Sequence, residues 1–80
     1  MSASIYWQAQ SHQTSLYTLA PQAFLESLRA AGIGEVLDEA DLPALQGMAC
    51  VHGGVDHKNP YRQLIKAIER HGTVLLKVEY

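Results

Sequence analysis

Apolar residues recur at Tyr61, Leu64, Ile65 and Ile68, the i, i+3, i+4, i+7 spacing of one helical face. Asn59 precedes them as an N-cap, and Pro60 takes the first helical position, where its missing N–H costs nothing. Gly72 stops the helix, after Arg70 and His71 in its last turn, where positive charge suits the helix dipole. From Thr73 the period changes to two. Val74, Leu76 and Val78 point one way, and Thr73, Lys77 and Glu79 the other. The short link predicts that this helix and strand pack together as adjacent layers.

The rest of the chain is patterned less sharply. Ser4 to Gln10 alternates as a strand, with Ile5, Trp7 and Ala9 on one face and Tyr6 and Gln8 on the other. Ser11 to Ser15 is polar and loop-like, and Leu16 to Leu19 has the length of a short return strand. Pro21 opens a helix expected to run to about Ala31, burying Phe24, Leu25, Leu28 and Ala31, with Gly32 as its stop. Gly34 to Ala40 reads as a turn with an acidic tail. A third helical stretch covers about Leu42 to Val51 and buries Leu42, Leu45, Met48 and Ala49.

Two caps compete for that stretch. Asp38, with Leu37 and Leu42, makes a cap and staple, but leaves Pro43 in the second turn. A start nearer Asp41 puts Pro43 in the first turn and is preferred. Gly47 inside the helix costs ~1 kcal/mol relative to alanine and is expected to admit a close neighbour.

These elements define one α+β domain over residues 1–80. Its small sheet has two strands, or three where Leu16–Leu19 pairs, packed against three helices in the order β-(β)-α-α-α-β. The first and last strands are the natural sheet partners. A two-stranded sheet leaves open edges, so a symmetric homodimer is expected through them.

Composition narrows the function classes. No run of 18 apolar residues exists, so no membrane span is expected. The stretch MSASIYWQ lacks the basic and apolar regions of a signal peptide, and a single cysteine, Cys50, excludes an internal disulfide framework. Both favour the cytoplasm. Net charge is −2, but it is segregated: residues 1–57 carry −5 and residues 58–80 carry +3. Such asymmetry concerns partners rather than fold.

Three stretches invite chemistry. Lys58, Arg62, Lys66 and Arg70 make a basic stripe, and Glu35, Asp38, Glu39 and Asp41 an acidic segment. Both are partner-binding candidates, for a protein surface of opposite charge or for the other segment in a second copy. The stripe is also the candidate for phosphates, although the acidic chain carries no nucleic-acid reading motif. His52, Asp56 and His57 are metal-ligand candidates, with His12 or Cys50 as a fourth, yet their spacing matches no zinc signature. The same loop leads into a helix N-terminus suited to anions, but without a phosphate-binding glycine motif. Cys50, beside Met48 and Val51, reads as a buried structural thiol rather than a nucleophile.

SIYW at Ser4–Trp7, LPALQGMA at Leu42–Ala49, NPYRQLIKAIERHG at Asn59–Gly72 and VEY at Val78–Tyr80 together resemble short uncharacterised proteins of phages and prophages. The resemblance touches about half the chain and its motifs are structural. It implies no activity and no cofactor. It implies a phage context, in which small proteins act by binding host proteins, defence proteins among them. The expected function is therefore a non-enzymatic protein-binding module that modulates or inhibits a host protein. The alternatives are a small metal-dependent or nucleotide-binding enzyme using His52–His57, and nucleic-acid binding by the last helix.

Overall fold

A computed structural model describes residues 4–18, 20–53 and 58–79. In chain order the elements are β1 (Ser4–Ala9), β2 (His12–Ser15), α1 (Pro21–Ala30), β3 (Val36–Leu37), a 3-10 turn (Glu39–Asp41), α2 (Leu42–His52), α3 (Pro60–His71) and β4 (Val74–Glu79). Among the described residues the α+β architecture and three helices stand as expected. The sheet, however, has four strands in the order β2-β1-β4-β3, all antiparallel.

The central pair is β1 with β4, in register Ile5↔Val78 and Trp7↔Leu76. The alternation seen in both strands puts these residues on one face, toward the helices. Two outer strands differ from the sequence reading. The return strand is His12–Ser15, not Leu16–Leu19. Gln10 and Ser11 form a two-residue turn that brings the chain straight back, setting Ala9 opposite His12 and Tyr6 opposite Ser15. All four β2 residues are exposed, which explains why a polar tetrapeptide serves: a polar edge strand discourages further pairing. Leu16 is buried just beyond it, and Leu19 lies outside the described residues. At the other edge, Val36 and Leu37 pair with Leu75 and Val74, where the sequence indicates only a turn. β2 and β3 therefore occupy the edges that the dimer expectation treated as open.

Gln10 turns the hairpin with φ of 55°, in the left-handed region that disfavours a side chain. Gln10→Gly removes that strain but loosens the unfolded chain. It is expected to raise the urea unfolding free energy by about 0.5 kcal/mol, the difference of the two effects.

Helix ends follow local chemistry. The Asn59 side chain accepts from Tyr61 N and Arg62 N, and Gly72 closes α3 at φ 87°. Asp38 and Asp41 form a reciprocal capping box around the 3-10 turn, and α2 starts at Leu42 with Pro43 in its first turn. Asp38 thus caps the 3-10 turn, while α2 starts directly after Asp41, whose side chain makes no cap bond to it.

One core joins the layers. Phe24 and Leu28 of α1, Leu45 and Ala49 of α2, Tyr61, Leu64 and Ile68 of α3, and Ile5, Leu37 and Val74 of the sheet are buried together. The Gln63 side chain brackets Tyr17, accepting from its N–H at 3.0 Å and donating to its carbonyl at 3.1 Å. That tie fixes the β2–α1 connection against α3.

Candidate functional site

The helical face of the sheet continues past the core at the β1–β2 turn. There Trp7, His12 and Thr14 meet the C-terminal half of α3. The Trp7 and His71 rings lie 5.6 Å apart between centroids, and His71 and His12 5.4 Å, giving a tilted stack of three rings. Lys66 and Arg70 stand one turn apart on α3 beside the stack. Together with Gln63 and Ala67 these residues line a cleft of about 350 Å³. It combines flat rings, two cations and the hydroxyl of Thr14.

Each member has a local reason to be there. Trp7 follows from the alternation of β1 and is half-buried at the core's margin. His71 is the last residue of α3, and His12 is the first of β2. Lys66 and Arg70 are the i and i+4 positions of the expected stripe. The sequence reading singled out the two cations for binding but not Trp7, Thr14 or His71, and gave His12 only a metal role. No spacing rule could unite them, because the hairpin brings them together.

The remaining candidates disperse. Arg62 shares a different cleft with Lys66, Glu69 and Gln46, between α2 and α3. Lys58 lines a third, with Phe24, His52, Pro60 and Tyr61. Lys66 borders both the ring-stack cleft and the Arg62 cleft, while Lys58 lines a separate one. Of the acidic segment, Asp38 Oδ1 accepts from Ala40 N at 2.9 Å, and Asp41 Oδ2 from Asp38 N at 3.1 Å. Those two carboxylates serve the capping box, while Glu35 and Glu39 are exposed.

His52 ends α2, with Nδ1 3.1 Å from Gly53 O and its ring edge-on to Tyr61. Asp56 and His57 lie outside the described residues. Among the described residues no group of three potential metal ligands is found. Cys50 is exposed, contrary to the expected burial. Leu45 and Ala49 define the inward face of α2, and the next residue is rotated away from it.

On the opposite face of the sheet, Tyr6 donates to Glu79 Oε1 at 2.8 Å. That bond, chiefly, holds the phenol above its ordinary value, and the carboxylate's charge also opposes a phenolate. No described helix is long and apolar enough to cross a membrane. Comparison with protein-family models, curated proteins and solved structures finds no match.

Proposed function

We propose that this chain is a non-enzymatic protein-binding module, of the kind phages encode to modulate a host protein in the host cytoplasm. The observation that carries the reading is the Trp7–His71–His12 ring stack with Lys66 and Arg70 beside it. Rings supply contact area at low entropic cost, and cations beside them select carboxylates. The ligand that fits is a short acidic segment of a partner protein. A nucleic-acid backbone calls for a longer basic track, and this chain is net acidic.

Trp7 is the only tryptophan, so its emission reports on this cleft alone. Titration with a glutamate-rich peptide is expected to change that emission in a salt-sensitive way. The double variant Lys66→Glu, Arg70→Glu is expected to weaken binding at least about tenfold. Single-stranded oligothymidylate serves as the comparison. If it binds in place of the peptide, with a steep salt slope, the nucleic-acid reading replaces this one. If neither changes Trp7 emission, the cleft is not the site and the proposal falls.

A further inference from the structure

The eleven residues of α2, LPALQGMACVH, carry no Asp, Glu, Lys or Arg. Leu45 and Ala49 face the core, while Pro43, Ala44, Gly47 and Val51 are exposed, Val51 at 89 %. With Met48, and with Ser27 of α1 and Tyr61 of α3, these four line an apolar groove of about 620 Å³. A helix without charge on any side belongs in an interior, yet this one turns much of its surface to solvent.

Gly47 sharpens the point. It is the middle residue of α2, where glycine is a poorer helix former than alanine. Its φ is not positive, and a Cβ built there meets nothing within 4 Å. Nothing among the described residues therefore requires glycine at this position. A backbone left bare at the centre of an exposed apolar face is suited to close approach by another molecule.

We infer that the occupant is a second copy of this chain, with the two α2 helices crossing antiparallel about a two-fold axis near Gly47. The charges flanking α2 are complementary under that operation. The acidic turn carrying Glu39 adjoins its N-terminal end. Lys58 and His52 share a cleft at its C-terminal end. A two-fold axis through the middle of the helix sets Glu39 of each copy toward Lys58 of the other. The same face is used twice, so the assembly closes at two. The sheet edges expected to dimerise are not needed, because β2 and β3 already occupy them. An 11-residue helix is only about 16 Å long, so the crossing alone lies at the small end of specific interfaces. Association in the micromolar range follows, stronger at low salt.

Sedimentation equilibrium of the whole chain between about 5 and about 500 µM tests this, without peptide or oligonucleotide present. The mass is expected to rise from 8.8 kDa toward twice that value with concentration. Gly47→Leu improves helix propensity, so the monomer's thermal stability is expected to hold or rise while self-association falls at least about tenfold. Val51→Lys, at a position 89 % exposed in the single chain, is expected to do the same and guards against a folding defect in the first variant. Glu39→Lys is expected to weaken the dimer, and Glu39→Lys with Lys58→Glu to restore it. A mass that stays at 8.8 kDa over this range overturns the inference. So does a mass that passes the dimer without a plateau, or a folded Gly47→Leu chain that associates as well as the parent.

Discussion

Asn59→Ala is expected to lower the unfolding free energy by about 3 kcal/mol and the melting temperature by roughly 15 °C. The position looks like an ordinary helix cap, whose loss costs about 1 kcal/mol. The fold asks more of it. Asn59 is completely buried, and all four hydrogen-bonding positions of its amide are in use. Oδ1 accepts from Tyr61 N at 3.1 Å and Arg62 N at 3.3 Å, at the start of α3. Nδ2 donates to Ala49 O at 3.1 Å and Gly53 O at 3.0 Å, at the end of α2. One side chain therefore closes the C-terminus of one helix and the N-terminus of the next. Alanine removes both, leaving two carbonyls short of a donor, at about 1–3 kcal/mol for a buried group wholly deprived. The expected total stays near the lower end because Ala49 O keeps its bond from Gly53 N.

Asn59→Asp separates the two roles. It keeps the acceptor toward α3 but turns the donor into an oxygen facing two carbonyls. Burial and that repulsion raise the carboxyl's folded pKa above its unfolded value. Stability is then greatest below the unfolded value and falls as pH rises through the folded one. Urea denaturation of the parent and both variants, at neutral and mildly acidic pH, checks this. A loss of only about 1 kcal/mol in Asn59→Ala would reduce the residue to a simple cap.

The second large effect is expected at Leu37. Leu37→Ala should cost about 2–5 kcal/mol, while Val36→Ala costs under about 1 kcal/mol. The two residues adjoin in a two-residue strand, but Leu37 is 0 % exposed and Val36 57 %. Leu37 sits opposite Val74 and fills the core between sheet and helices. Val36 sits opposite Leu75, which is itself exposed, on the face turned away from the core. Urea midpoints at constant slope separate the two outcomes. Equal effects would mean that β3 does not hold the register described.

Both residues show where local sequence stops being informative. The extent of α3 was legible to the residue, because Asn59, Pro60 and Gly72 act on backbone groups within one turn of themselves. The length and stop of α1 were nearly so, though Ala31 is exposed and caps rather than extends it. The pairing of β1 with β4 followed by elimination, since only those two stretches alternate over six residues. The partners of Asn59 Nδ2 were not legible. They lie six and ten residues back, and only the packing of α2 on α3 brings them within reach.

The candidate cleft divides the same way. Lys66 and Arg70 were visible as a helical stripe, because spacing on one helix is a local property. Trp7, His12 and His71 come from three elements, and no periodicity relates them. Sequence by itself determined the fold class, the helix boundaries and the central strand pair, through capping, glycine stops and apolar period. Only tertiary structure decided the rest. His12–Ser15 has no alternation to mark it as a strand, and two residues cannot show a period at Val36–Leu37. These segments are strands because β1 and β4 offer them unpaired backbone groups. Cys50 and Val51 face solvent for a related reason: composition makes α2 apolar all round, and only its docking through Leu45 and Ala49 chooses which side is left outside.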